Sequence, residues 1–215
     1  MKSQKATAYE RIKDMIFKME LLPGSPIPEL QIAAKLSIGR TPIHDALCRL
    51  VSEGLVIIGS NRRAAVVCFN DEEISQIGAV RLAQDILSAQ LASYYGSAAD
   101  FDKLEQFAAD CEEASTKGDV YGRIRIDADF HLAIAKISGN DRLIALQYAT
   151  YQQIHLIQVA KYTDIEHSLI QIHHHMPLVS AIRNGELGEA RNLICEHIKD
   201  FYRIDPYILK CYCDN

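Results

Sequence analysis

Asp127 and His131 stand four residues apart, a spacing that projects both from one face of a helix. Ile124 and Ile134 share that face, which turns it toward a core. His175 falls on one helical stripe with Ile172, Leu178, Val179 and Ile182, and His197 on another with Leu193, Ile194 and Phe201. Three helices thus each aim a metal-ligand type of side chain from an otherwise apolar face. A buried carboxylate without a partner is costly, and the histidines can pair with it or with one another. A divalent cation satisfies all four at once, in an N/O donor set suited first to zinc and also to nickel or manganese. Any one of these histidines alone reads as a core residue bonded to backbone, whereas the set of four reads as a metal site. Successive helical residues point about 100° apart, so His173, His174 and His175 cannot all face one centre. His175 fits the apolar stripe; His173 and His174 fall toward the surface, with His174 the reserve candidate. Pro177 is expected to kink the helix and turn the triplet.

These ligands need a helical frame, and from Asn70 onward the pattern is helical throughout. Asn70-Asp71-Glu72-Glu73 forms a capping box that launches a helix to about Tyr95. Further helices are expected at about 98–116, 119–138, 140–162, 165–184 and 186–204, separated by Gly96, Gly118, Gly139, Thr163-Asp164 and Asn184-Gly185. Short connections make residues 71–215 an all-α antiparallel bundle. Residues 1–70 read differently. A helix over 7–20 ends at Leu22-Pro23-Gly24, and a short one carries Leu30, Ala33, Ala34 and Leu36. A third begins near Arg40, with Thr41 as N-cap, and buries Ile43, Leu47, Leu50 and Val51. Leu55–Ile58 and Ala64–Phe69 read as strands around a turn at 59–63. Three helices and a β-hairpin make a winged helix-turn-helix, whose third helix is built to enter a DNA major groove.

The chain has 215 residues, 48% apolar and 24% charged, with a net charge of −5 that taken whole argues against nucleic acid. Divided after Asn70, it becomes +4 on the first part and −9 on the second. Arg40 opens the third helix, Arg49 lies later on it, and Arg62 and Arg63 sit on the wing. The free N–H groups of a helix N-terminus and the Thr41 hydroxyl suit phosphate, and His44 suits a base or phosphate. The other reading of these arginines is a solvated surface. So few cations argue for two copies on a two-fold symmetric operator.

The run Leu36-Ser37-Ile38-Gly39-Arg40-Thr41-Pro42-Ile43-His44-Asp45-Ala46-Leu47, continuing to Leu50 and Glu53-Gly54-Leu55-Val56, resembles the GntR family of bacterial winged-helix regulators. Asp127-Ala128-Asp129-Phe130-His131, Ser138-Gly139-Asn140, His175 before Ala181-Ile182 and Ala190 before His197 resemble the all-helical FCD effector domain of its FadR branch. The resemblance implies a ligand-responsive, DNA-binding homodimer that is not an enzyme. It strengthens the assignment of Asp127, His131, His175 and His197 to a metal. By the same resemblance Arg81 grips the carboxylate of a small organic acid whose other oxygen meets the metal; as a surface residue it would instead pair with Asp85. Tyr148, Tyr151, Gln152 and His155 share a mixed helical face suited to lining a pocket or to plain core packing. The chain departs from the family at His44, Gly39 and Arg62-Arg63, where arginine, serine and an Arg-Gly pair are usual, so operator sequence does not carry over.

Without a secretion signal or an apolar run of membrane-span length, a cytoplasmic protein is expected. Its six cysteines then read as reduced, mostly buried thiols, with Cys211-Tyr212-Cys213 in a frayed tail. Two rivals remain at this stage. One is a metal-dependent hydrolase, disfavoured by the absence of an H-E-x-x-H pairing; the other is a regulator whose metal is purely structural or is itself sensed.

Overall fold

The computed structural model describes residues 4–60, 63–161 and 172–213. α1 (Gln4–Phe17), α2 (Glu29–Leu36) and α3 (Arg40–Ser52) precede an antiparallel hairpin of β1 (Val56–Ile58) and β2 (Ala64–Val66). Ile12 and Ile16 of α1 meet Ile43, Leu47 and Leu50 of α3 in a fully buried core closed by Leu55, Val56 and Val66. Some expected core positions differ. α2 buries Ile32 and Ala33 and leaves Leu30 exposed, and Val51 lies at the surface of α3. α3 also starts two residues earlier than Thr41 capping would allow. Gly39 is its N-cap, without a side-chain cap bond, and Pro42 falls in the first turn, where a missing N–H costs no helical bond.

The second unit begins with the capping box as read from the sequence. The Asn70 side chain accepts from the Glu73 N–H at 2.9 Å, and the Glu73 carboxylate accepts from the Asn70 N–H at 2.8 Å. α4 (Asp71–Tyr95), α5 (Ala98–Thr116), α6 (Val120–Ile137) and α7 (Asp141–Lys161) follow. A 3-10 turn, Ile172–His174, leads into α8 (His175–Asn184), then α9 (Leu187–Tyr202) and α10 (Pro206–Cys213). Of the helix expected over 165–184, residues 165–171 lie outside the described residues. Because α8 starts at His175, Pro177 sits in its first turn and no kink follows. Packing pairs α5 with α6 and α4 with both α6 and α9, while α8 packs on α5 and α9. Gly78 makes the α4–α9 contact possible, since a Cβ there would stand 2.4 Å from the Tyr202 Cβ.

Two compact units result. One runs to Phe69 and takes in Gln152–Lys161; the other holds Asn70–Tyr151 and the described residues after 171. The end of α7 thus groups with the winged unit, while the sequence pattern places all of residues 71–215 in the bundle. Gln153 fills the space beside Gly54, whose φ of +72° and lack of a Cβ both suit glycine.

The cysteine expectation needs correction. Cys195 and Cys213 are joined in a disulfide, which ties α10 to α9, and the tail around Cys211 is helical. Cys48, Cys68 and Cys211 are exposed, and Cys111 is buried. Among the described residues, no helix is long and apolar enough to cross a membrane.

Candidate functional site

One turn of α6 carries Asp127 and His131, the first residue of α8 is His175, and His197 lies on α9. Each is 1–2% exposed. Their ligand atoms all lie within 4.8 Å of one another. Asp127 Oδ1 is 3.1 Å from His175 Nε2, 3.6 Å from His197 Nε2 and 3.9 Å from His131 Nε2, and the Nε2 atoms of His131 and His197 are 3.2 Å apart. Donors about 2.0–2.2 Å from a common centre are separated by roughly 3.3–3.6 Å at tetrahedral angles, which the observed 3.1–3.9 Å brackets. His175 Nε2 lies 3.1 Å from the carboxylate oxygen, and the four ligand atoms converge on one region of the core. The donor set fits a divalent cation. Of the neighbouring histidines, His173 is exposed with Nδ1 3.7 Å from Glu112, and His174 is half-buried beside the cluster.

Electrostatics prepare these groups as ligands. Burial works against the charge of Asp127, but His175, His197 and His131 beside it hold the carboxyl well below its usual range. Burial pushes His131 far below its usual value, helped by the Arg81 cation, and pushes His197 down to about 4 against the opposing pull of Asp127. At neutral pH the ionised Asp127 carboxylate thus faces the neutral imidazoles of His131 and His197, the protonation states a metal requires.

A second layer of buried polar groups holds His131, and the sequence reading missed most of it. Arg81 Nη2 lies 3.0 Å from His131 Nε2, and His131 Nδ1 lies 3.4 Å from Asp85 Oδ2. This network assigns the proton to Nδ1, facing a carboxylate, and leaves the Nε2 lone pair toward the cluster. Arg81 Nε donates to Asp85 Oδ2 and to the Tyr151 hydroxyl, each at 3.1 Å, and Nη1 donates to the Tyr202 hydroxyl at 3.0 Å. Tyr151 and Gln147 donate to Asp85 in turn, and Ser88 donates to Gln147 at 2.6 Å. Arg81 and Asp85 do pair at i, i+4, but at 1% and 2% side-chain exposure they are no surface salt bridge. The acidic residue four positions after Arg81, on an inward face of α4, was the signal for Asp85. Arg123, fully buried four residues before Asp127, had the same kind of signal.

The other expected pocket residues separate. Tyr151 lies in this network and Gln152 is buried, whereas Tyr148 is part-exposed. His155 belongs with the winged unit, where its ring stacks on Phe17 at 3.9 Å between centroids.

In the winged unit Arg40, Thr41, His44 and Arg63 are exposed, and Arg62 lies outside the described residues. Arg40 and Arg63 line one cleft of about 480 Å³ with Glu29. Arg49 is engaged within its own unit: Nε donates to the buried Glu53 at 3.2 Å, and the guanidinium covers the Tyr9 ring at 3.7 Å. Tyr9 also donates to Glu53, so Arg49 braces α3 against α1.

Residues 76–200 match the FCD domain family, and residues 4–66 match the bacterial regulatory proteins of the gntR family. The chain is 28% identical to the HTH-type transcriptional repressor NanR of Cronobacter sakazakii, over 90% of this chain and 82% of that one. It is 23% identical to the HTH-type transcriptional regulator YdhC of Bacillus subtilis, over 89% of each. Among solved structures, McbR/YncC of E. coli shares the fold with a TM-score of 0.82 at 19% identity, over 99% of this chain and 100% of that one.

Proposed function

The chain belongs to the FCD branch of the gntR family of bacterial regulatory proteins, and from that premise we propose that it is a metal-dependent, ligand-controlled regulator acting as a homodimer. Its broad role is that of a transcriptional regulator with a DNA-binding winged helix-turn-helix and an effector-binding helical domain. In our reading Asp127, His131, His175 and His197 hold a divalent cation, zinc first, and a small organic acid binds there. The observation that carries this is the convergence of four buried donors from three helices, with Asp127 held ionised and His131 and His197 held neutral. A bound cation supplies Lewis acidity toward a carboxylate oxygen. Arg81 adds positive charge beside His131, and Asp85 orients that ring. Tyr151 fixes both Arg81 and Asp85. An effector that fits one arrangement of the domains better than another shifts the population between them, and with it the match to operator half-sites. Arg40, Thr41, His44, Arg62 and Arg63 are the DNA contacts we assign, with Arg49 supporting α3.

The test is a thermal-shift screen of small carboxylates, with and without chelator, paired with fluorescence anisotropy on duplex DNA. Stabilisation abolished by chelator supports the joint site, and stabilisation indifferent to chelator refutes it. A second reading, that the cation itself is sensed, is favoured by the near-complete burial of the donors, which suits a bare ion better than a metabolite. It expects chelation alone to change DNA binding.

A further inference from the structure

The exposed face of α3 carries a thiol and an imidazole one turn apart. Cys48 Sγ lies 3.7 Å from His44 Nε2, within hydrogen-bond reach for sulfur. The other ring nitrogen of His44, Nδ1, lies 4.0 Å from Glu29 Oε2. A thiol, an imidazole and a carboxylate thus stand in line across α2 and α3, with a proton acceptor beside the sulfur and an anion behind the ring to balance the charge it gains. Cys48 and His44 are both exposed, so a small reagent can reach the sulfur. Glu29 also lines the open cleft that holds Arg40 and Arg63, which gives an anionic reagent two cations to approach. Cys68 and Cys211 are exposed as well, and among the described residues neither is hydrogen-bonded to a histidine. They serve as controls within the same molecule.

We propose that Cys48 is a modification site, a thiol activated by His44 that exchanges with oxidised low-molecular-weight disulfides and thereby blocks DNA binding. Cys48 Sγ attacks one sulfur of an anionic disulfide, RSSR. The RS–SR bond breaks as the Cys48 Sγ–SR bond forms. The thiol proton passes to His44 Nε2 and then to the departing RS⁻, which leaves as RSH. The Cys48 sulfur is oxidised and the leaving sulfur reduced, and no further reagent is needed. The adduct adds bulk and negative charge to the face of α3 between His44 and Ser52, where a DNA phosphate would lie. This last consequence rests on α3 facing DNA, as proposed above; the exchange chemistry does not.

The experiment follows adduct formation at each cysteine by peptide mass spectrometry, with full-length protein and glutathione disulfide as the probe. Cys48 is expected to react about tenfold faster than Cys68 or Cys211, an advantage that His44→Gln removes and Glu29→Gln reduces. Equal rates at the three thiols, or a Cys48 rate indifferent to His44→Gln, overturn the proposal. In parallel, binding is measured to a duplex selected from a random-sequence pool. The adduct is expected to weaken binding at least about tenfold, dithiothreitol to restore it, and Cys48→Ser to be insensitive to the disulfide. Fast modification with unchanged affinity overturns the regulatory half. Unmodified protein that binds no duplex refutes the placement of α3 on DNA, while the rates still decide the chemistry.

Discussion

Replacing Arg81 by methionine keeps most of the side-chain volume and removes the guanidinium. Asp85 would then be a buried carboxylate at 2% side-chain exposure without its cation, and Tyr151 and Tyr202 would each lose a bond to it. Breaking a buried pair from one side costs about 3–5 kcal/mol, because the remaining charge has nothing to repay its desolvation. At roughly 2–4 °C per kcal/mol, a melting temperature lower by about 6–20 °C is expected. Asp85→Leu added to Arg81→Met removes the stranded charge and should recover at least half of the loss. Urea unfolding of chelated protein, read by circular dichroism, measures both. Metal affinity should move the opposite way. Arg81 Nη2 lies 3.0 Å from the His131 lone pair that a cation needs, and a charged hydrogen bond of about 1.5 kcal/mol corresponds to roughly tenfold. Competition titration with zinc on the Arg81→Met single variant, which keeps Asp85 against His131 Nδ1, should therefore show tighter binding than wild type. An Arg81→Met loss below about 1 kcal/mol, a double variant less stable than the single, or weaker zinc binding would each refute this account of the network.

Four further outcomes follow from the same geometry. Asp127→Asn should weaken zinc binding by at least about a hundredfold, since it replaces the anionic ligand closest to all three imidazoles; equilibrium dialysis showing unchanged binding would exclude the site. Acid should destabilise the chelated protein. His197 titrates near 4 when folded against 6.5 ordinarily, so its contribution is complete above 6.5 and is lost as pH falls toward 4, by about 3 kcal/mol at most. A melting temperature flat from about pH 7 to about pH 4.5 would contradict this. Val80, Leu87 and Tyr94 recur every seven residues on α4 and are exposed, a row the proposed homodimer would cover; Leu87→Glu should then yield a monomer in sedimentation, and a dimer would exclude that face. Cys111 is buried and its thiol pushed up by burial and by Asp127, so it should resist iodoacetamide in native protein while Cys68 reacts; comparable labelling would show that this part of α5 opens.

Periodicity in the sequence determined the helices and their inward faces, because burying an apolar stripe fixes which way each helix turns. Asp127 and His131 were legible as a pair for that reason, and His175 and His197 as single polar residues on apolar stripes. The capping box at Asn70 was legible because it is a local bond. The family resemblance was legible in the runs around α3 and around Asp127. Tertiary structure decided what these side chains meet. That Arg81 and Asp85 form a buried pair, not a surface one, depends on α4 packing against α6 and α9, and Gly78 allows that only through its contact with Tyr202. Arg49 looked like any exposed arginine of a DNA-reading helix until Glu53 and Tyr9 were placed beside it. The Cys195–Cys213 pairing and the assignment of His155 to the winged unit depend on contacts between residues far apart in the chain, which no local pattern encodes. Sequence sets each residue's chemistry and the face it occupies, whereas which faces converge is fixed only when the helices pack.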